Sequence, residues 1–406
     1  MNVSGRGSLG RRLRPLTGRS SRILRPPGKW IAFVFCAFAG LPPLAFWLAL
    51  YGGRHPDSML YYGAAQLALS GDIATIFDPE RMTESLNNLF YPGSDVAWFR
   101  FAPWLYPPVF LLVVVPFAIL PFGWFYALFQ AATVAGAAMA LGWRRGREGW
   151  IGAAALLVAP ATAISLVVGQ NALLSAALLV GGFRLLGSHP AIAGALLGAL
   201  VYKPQLCLLV PVALVAARAW RALGFAAASA LFLSALSAIV FGFDAWRFWI
   251  LELLDPAGLY AARWVKDSIM LGFGVYTCAV RLGAPEALAM AAQLFAGALA
   301  VAATYRAFRS DAPWELRLAV LLCGTALVTP HIAPYDLALV ASAVVLIVGR
   351  SLASGFLAGE AIVMALAWIV PIVRPVDALP GRFAPLVIAA AGAYALVRCI
   401  QARSPA

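Results

Sequence analysis

Asp57 is the first acidic residue of the chain and lies in the sequence RHPDSMLYY, a few residues past the end of an apolar run. A carboxylate at that position is held just above a membrane surface, where it can act as a base on a hydroxyl group that arrives from outside. A solvated loop acid would have the same sequence context, because the segment 52–106 contains six acidic residues. Position alone therefore leaves both interpretations of Asp57 open.

Lys203, in the sequence VYKPQ, places a cation next to a helix-breaking proline inside a hydrophobic run. An unpaired cation in lipid is unfavourable by a few kcal/mol, so an ionisable group there is a functional hypothesis, and an anionic phosphate is its natural partner. Pro204 also frees a backbone carbonyl, as in a helix broken beside a cavity. The alternative is a lysine at a hairpin tip that extends its ammonium group to the membrane interface.

Two further polar groups interrupt apolar runs. Gln170 and Asn171, in VVGQNALL, lie at a break where their amides could bind sugar hydroxyls, although a plain interhelical turn would look the same. His331, in TPHIAPYD, lies at the end of an apolar run, with Tyr335 and Asp336 beginning the next one. A lone histidine at such a position is either a catalyst or an interfacial side chain.

The composition indicates that lipid surrounds most of the chain. Of the 406 residues 63% are hydrophobic and 12% are charged, with a mean hydropathy of +0.86, which no water-soluble domain of this length could carry on its surface. The net charge of +13 is concentrated in a tail and short loops, a distribution that sets membrane orientation and argues against nucleic-acid binding. The five cysteines lie singly in apolar stretches, which predicts neither a metal site nor disulfides.

The chain begins with a basic segment. Residues 1–29 contain eight basic and no acidic residues and precede an apolar run at 30–51. That run is too long for the apolar part of a signal peptide, so it predicts a retained first span with a disordered cytoplasmic tail. The loop 52–106 is then external, with surface helices at 58–70 and 79–90. The heavy use of alanine, glycine and arginine indicates a bacterial protein, hence a plasma-membrane location.

Eleven more apolar runs follow, and with the first span they predict about 12 crossings, cytoplasmic termini and one all-α membrane domain over 30–400. The runs are 107–120, 123–143, 151–168, 171–186, 191–217, 223–243, 286–304, 316–329, 336–348, 356–370 and 383–397. The number of spans between 107 and 222 is open, because 191–217 is either one broken span or a hairpin. A second external segment at 243–283 is rich in aromatic residues typical of the lipid interface.

The motifs in their order resemble those of the GT-C membrane glycosyltransferases, most closely family 87, the bacterial polyprenyl-phosphate-mannose-dependent α-mannosyltransferases. The matching pieces are the external-loop aspartate followed by YYGAAQLALSG, then FDP, YPPVFLLVVVPFAILPF, GQNALL, KPQLCLLVPV with RAWRAL, and TPHIAPYDLAL. The likeness extends from about Asp57 to Asp336. One departure is VKDSIML at 265–271, where relatives tend to have an Asn-x-Ser-Leu pattern, so a sugar contact from this segment is in doubt.

The resemblance implies roles for individual residues. Asp57 would be the catalytic base, His331 would lie opposite it at the acceptor hydroxyl, and Lys203 with Gln205 would lie near the donor phosphate. The remaining residues expected to contact substrate are Gln170, Asn171, Tyr62, Tyr106, Tyr335 and Asp336. No cofactor or metal is expected, because the leaving group is a phosphate that a cation can stabilise.

The predicted activity is the transfer of a hexose, mannose by resemblance, from a polyprenyl-phosphate sugar to an extracytoplasmic lipid or glycan acceptor by inverting displacement. One alternative is a transporter or flippase of a lipid-linked sugar, although the paired internal repeats and ion-coupling residues typical of transporters are not evident. A second alternative is a polymerase or ligase of the O-antigen type. Those enzymes typically place their key residues in a large late external loop, whereas the largest external loop here is the first.

Overall fold

The structure, a computed structural model, describes residues 54–94, 96–142, 146–254, 272–372 and 379–402, with Ala45 and Ala49 as isolated positions. Within these ranges every regular element is helical. The α-helices are α1 Pro56–Ser70, α2 Ile73–Ile76, α3 Pro79–Phe90, α4 Val109–Ala118, α5 Phe122–Gly142, α6 Gly146–Leu157, α7 Pro160–Val168, α8 Ala172–Leu185, α9 Pro190–Gly198, α10 Val210–Ala216, α11 Trp220–Phe241, α12 Phe243–Leu254, α13 Val275–Arg281, α14 Glu286–Phe308, α15 Trp314–Val328, α16 Ala338–Ser354, α17 Glu360–Ile369 and α18 Ala384–Gln401. The predicted tail 1–29, first span 30–51 and motif at 265–271 lie outside these ranges.

Four of the described helices are long and apolar enough to cross a membrane, namely α5, α11, α14 and α18. The pair α6 and α7, bent by 56° at the residues between them, would make a fifth as one broken span. Shorter apolar helices of 10–17 residues, α8 and α16 among them, lie in other apolar runs of the described residues. The all-helical membrane class is therefore confirmed for the described residues, whereas the total of about 12 crossings remains a prediction.

The chain between α8 and α11 forms a hairpin with Lys203 at its turn. Pro204 disfavours the helical conformation in the residue before it, and Lys203 accordingly has φ −137° and ψ 70° between two 3₁₀ turns. Leu186, which precedes α9, and Ala217, which follows α10, line one and the same cavity. The first arm of the hairpin therefore starts at this cavity and the second arm ends there. Because the chain runs from the cavity to Lys203 and back, the structure favours the hairpin over the single broken span.

Direct contact between the backbones of α9 and α11 holds this hairpin to α11. A Cβ atom built on Gly194 would lie 2.3 Å from the carbonyl oxygen of Ala222, and one on Gly198 would lie 2.2 Å from that of Ala226. The two glycines are four residues apart and therefore occupy one face of α9. Small residues at this spacing let helix backbones approach closely, so the motif GALLG fixes the arm of the hairpin that leads to Lys203.

The loop 52–106, which the sequence predicts to be external, contains α1, α2 and α3, and both helices predicted for it are present. Two of its acids serve as caps: Asp72 accepts from the backbone N–H of Thr75, and Asp78 accepts from those of Glu80 and Arg81. Asp57 instead lies in the first turn of α1. The helix α1 differs from a simple surface helix, because it packs between α3 and α4 and buries its middle turns.

The second external segment contains α12 and α13. Its predicted aromatic anchors Trp246 and Trp249 lie on α12, where Trp249 Nε1 donates to the carbonyl oxygen of Leu105 at 3.2 Å and Trp246 Nε1 to Ser237 Oγ at 3.1 Å. The first of these bonds ties α12 to the end of the first external loop. Tyr260 and Trp264 lie in 255–271, outside the described residues.

Candidate functional site

Asp57 is fixed in place by the residues on each side of it. His55 Nδ1 lies 2.7 Å from the carbonyl oxygen of Val167, and its ring stacks on Tyr126 at a centroid distance of 3.7 Å. Ser58 Oγ donates to the carbonyl oxygen of Gly169 at 2.8 Å. His55 has a φ of 25°, a conformation that side-chain-bearing residues rarely adopt unless their surroundings enforce it. The first turn of α1 is thus anchored to the end of α7.

Gly169 makes this anchoring possible. It ends α7 in the left-handed conformation, with φ 80° and ψ 33°, where L-residues with a Cβ are strained. A Cβ at this position would also lie 2.1 Å from Ser58 Oγ. The turn directs the chain so that the next residue, Gln170, comes to lie beside α1.

The side chain of Gln170 is a buried centre of hydrogen bonds. Its Oε1 accepts from the hydroxyl of Tyr61 at 2.6 Å, from that of Tyr106 at 3.2 Å and from the backbone N–H of Asn171 at 3.0 Å. The two tyrosine hydroxyls are also 2.8 Å apart. Because the amide oxygen is occupied by donors, the amide nitrogen of Gln170 is left to bond with the carboxyl group of Asp57.

Asp57 has the properties of a base that works near neutral pH. Withdrawal from water raises its pKa to about 7, while the hydrogen bond from Gln170 and the charge of Lys203 act in the opposite direction. The charge of Asp336 raises the pKa further. As a whole residue Asp57 keeps some exposure to solvent. A carboxyl group with a pKa near the working pH is well suited to general base catalysis.

Lys203 and Asp336 form a buried ion pair next to this carboxylate. Lys203 Nζ lies 2.5 Å from Asp336 Oδ1 and 3.2 Å from Asn171 Oδ1, and the two charged residues are only 4% and 6% exposed. The ammonium group also lies 5.7 Å from the ring centroid of Tyr335. The lysine occupies the hairpin tip, yet its side chain points inward and does not extend to the interface. Its position inside an apolar run is explained by a carboxylate partner 133 residues away.

Asn171 contributes a polar atom with unused capacity. The residue is fully buried, its Oδ1 accepts from Lys203, and its Nδ2 has no hydrogen-bond partner among the described residues. A buried amide N–H without an acceptor is destabilising by about 1–3 kcal/mol. Such a donor beside an ammonium group is well placed for an oxygen atom of a bound anion.

The other residues predicted to contact substrate lie in different surroundings. Tyr106 belongs to the hydrogen-bond network of Gln170, and Tyr335 lies at Lys203. The ring of Tyr62 packs against an aromatic cluster of Phe90, Phe122 and Phe125, and its contact with substrate remains a prediction. The backbone oxygen of Gln205 accepts from the hydroxyl of Thr329 at 3.3 Å.

His331 lies in the loop between α15 and α16. Burial lowers the pKa of this histidine to about 4, so the ring is neutral at physiological pH. The loop is attached to the second external segment, because the backbone N–H of Phe273 donates to the carbonyl oxygen of Ile332 at 2.8 Å. The role of His331 at the acceptor remains a prediction.

Sequence reasoning missed Tyr61, Ser58 and His55. The signal for Tyr61 was present, since Asp57 and Tyr61 are four residues apart and face the same side of a helix. Ser58 and His55 act through backbone carbonyls of a distant turn, which the sequence does not reveal.

The sequence model of glycosyltransferase family 87 matches residues 104–330, which is more than half of the chain. The matched range contains Tyr106, Gln170 and Lys203, while Asp57 and Asp336 lie on either side of it. Comparisons with curated proteins and with solved structures gave no match. The resemblance drawn from the motifs is thus confirmed, and the chain belongs to glycosyltransferase family 87, a family of membrane glycosyltransferases.

Proposed function

We propose that this protein transfers a hexose, mannose in the first instance, from a polyprenyl-phosphate donor to an acceptor hydroxyl at the extracytoplasmic face. The observation that carries the proposal is one cluster in which Asp57 has a pKa of about 7 and interacts with the buried pair of Lys203 and Asp336. A base and a cation are the two groups that sugar transfer from a phosphate requires. The donor's polyprenyl tail can stay in the bilayer while its sugar reaches the loop.

The reaction is a single displacement. The carboxylate of Asp57 removes the proton of the acceptor hydroxyl, whose oxygen forms a bond to the anomeric carbon. The bond between that carbon and the phosphate oxygen breaks at the same time, and its electron pair leaves with the polyprenyl phosphate. The configuration at the anomeric carbon inverts, so a β-linked donor gives an α-linked product.

Lys203 and Asn171 are the groups proposed to hold the leaving phosphate. An ammonium group has three N–H donors, of which one is directed to Asp336 and one to Asn171, so a third remains for a phosphate oxygen. The unused Nδ2 of Asn171 adds a second donor from the same side. Donors that are already in position stabilise the developing phosphate charge without further rearrangement.

The extracytoplasmic location of the reaction is supported by charge and by chain direction. The basic residues 6–29 favour a cytoplasmic start, which puts the loop carrying Asp57 outside after one span. The exposed arginines at the opposite ends of the helices, such as Arg218 and Arg309, agree with this orientation.

The test is transfer of label from radiolabelled polyprenyl-phosphate mannose by protein in lipid nanodiscs, with a membrane extract of the source cell as acceptor. Asp57→Asn should abolish transfer but leave donor binding intact. Glu84→Gln, which changes an exposed acid in the same loop, is the matched control and should transfer at the wild-type rate. Equal transfer by Asp57→Asn and wild type would remove Asp57 from the mechanism. Donor that crosses the bilayer of proteoliposomes without forming product would instead indicate a transporter.

A further inference from the structure

The cavity that Leu186 and Ala217 line lies away from Asp57, between the ends of α8, α10, α14 and α15. Its volume is about 540 Å³. The apolar part of its wall includes Phe183, Phe308 and Trp314, and two arginines, Arg184 and Arg317, line it. The proposed transfer reaction uses none of these residues.

The cavity and the candidate site occupy opposite ends of the same helices. The helix α8 begins directly after Asn171 at the site and reaches the cavity at Arg184, a distance of about 20 Å at 1.5 Å per residue. The helix α15 runs the other way, from Trp314 at the cavity to Val328 beside the loop that leads to Asp336. The cavity is therefore at the face opposite to Asp57, which is the face that carries the basic turns.

The charges around the cavity favour an anion. Arg184 Nη1 donates to the carbonyl oxygen of Ala140 at 2.8 Å, which holds this guanidinium at the wall. The exposed residues Arg218 and Arg309 directly adjoin residues of the lining. Two acids offset part of this charge, namely Asp311, an exposed residue of the lining, and Glu315, which adjoins the lining residue Trp314 and whose charge acts on Arg317, so four arginines face two acids. A mouth with this excess of positive charge attracts anions.

Arg317 provides the observation most specific for a ligand. Its guanidinium lies 5.8 Å from the ring centroid of Phe308, and its Nε is buried with no hydrogen-bond partner among the described residues. Arginine binds phosphate through two parallel N–H donors, one of which can be Nε. The helix α15 begins at the same wall, with Pro313 at its N-cap and no side-chain cap, so its N-terminal dipole adds to the positive potential.

We propose that this cavity binds a phosphate-bearing anion, such as the headgroup of an anionic phospholipid of the adjoining leaflet or a soluble phosphate. The two arginines hold the phosphate, and the aromatic part of the wall accepts the carbon atoms next to it. Basic pockets between helices at the cytoplasmic face of membrane proteins bind acidic lipid headgroups in this way. Occupancy would fasten the ends of α8 and α15 to each other.

The test measures thermal unfolding of the full-length protein in a neutral detergent against three probes, namely short-chain phosphatidylglycerol, short-chain phosphatidylcholine and inorganic phosphate. A midpoint that rises with phosphatidylglycerol alone identifies a lipid headgroup. One that rises with inorganic phosphate as well identifies a site for free phosphate. If neither anion raises the midpoint more than phosphatidylcholine does, the proposal is overturned.

Two variants and a control variant test whether the stabilising anion binds in the cavity. Arg317→Met should weaken the binding of the effective anion about tenfold or more, because a charge-assisted hydrogen bond is lost. Arg221→Met, an exposed change in the nearby turn, should leave it unchanged. Asp311→Asn removes the acid of the lining at an exposed position, so it does not endanger folding, and should tighten binding two- to threefold, roughly as for an exposed charge pair. Equal responses of Arg317→Met and Arg221→Met, or weaker binding by Asp311→Asn, would contradict the assignment.

Discussion

Removal of one partner of the buried ion pair should strongly destabilise the protein. At the distance of 2.5 Å between Lys203 Nζ and Asp336 Oδ1, the attraction is about 7 kcal/mol for an effective dielectric constant of 20. Most of this attraction offsets the removal of both charges from water. Asp336→Asn loses the attraction but leaves Lys203 buried, so the free energy of unfolding should fall by about 3–5 kcal/mol.

The assay is SDS-induced unfolding in mixed micelles, followed by tryptophan fluorescence, for the wild type, Asp336→Asn, Lys203→Met and the double variant Lys203→Met/Asp336→Leu. Each single variant should be much less stable than the wild type, whereas the double variant should come close to it, because neither charge is left buried alone. The double variant should nevertheless be inactive in mannose transfer, since the proposed phosphate contact is lost.

Two results would refute this reasoning. Additive effects of the two single changes would mean that the charges of Lys203 and Asp336 do not interact with each other. A loss of less than about 1 kcal/mol in Asp336→Asn would mean that water screens the pair as it does at a surface.

Three further predictions concern the neighbourhood of Asp57. The value of kcat/KM should rise with pH through about 7, because Asp57 acts as a base only when it is ionised and its pKa is about 7. A flat profile between pH 5 and 9 would contradict this. Gln170→Leu removes a hydrogen bond that lowers the pKa of Asp57, so the rising limb should move to higher pH, and a shift to lower pH would exclude this role. Gly169→Ala should lower the unfolding midpoint more than Gly71→Ala, since both have a positive φ but only the Cβ at Gly169 meets another atom, Ser58 Oγ at 2.1 Å; equal midpoints would contradict the close contact.

The sequence was sufficient to predict the helical membrane class, because composition and long apolar runs depend only on local residue types. It also drew attention to Asp57, Gln170 and Lys203, which lie where an apolar pattern is interrupted and which the structure brings together, while their roles in the reaction remain predictions. Helix lengths were less predictable. Prolines such as Pro160 and Pro204 start new helices within an apolar run, which divides the run into shorter pieces.

The partners of these residues could not be predicted, because they come from distant parts of the chain. Lys203 and Asp336 are 133 residues apart, and no periodicity connects them. Tyr61 was not selected from the sequence for a different reason. Both faces of α1 carry apolar residues, since the helix is packed on more than one side, so hydrophobicity does not distinguish Tyr61 from Tyr62 and only the four-residue spacing from Asp57 indicates Tyr61.

The fixed orientation of the Gln170 amide has a consequence for the stereochemistry at Asp57. The tyrosine hydroxyls can donate or accept, but the backbone N–H of Asn171 can only donate to Oε1, so a rotation of the amide group by 180° would place an N–H group against it. One oxygen of the Asp57 carboxylate therefore always faces a donor. A proton taken up by Asp57 has to settle on the other oxygen, which restricts the side from which an incoming hydroxyl group can approach.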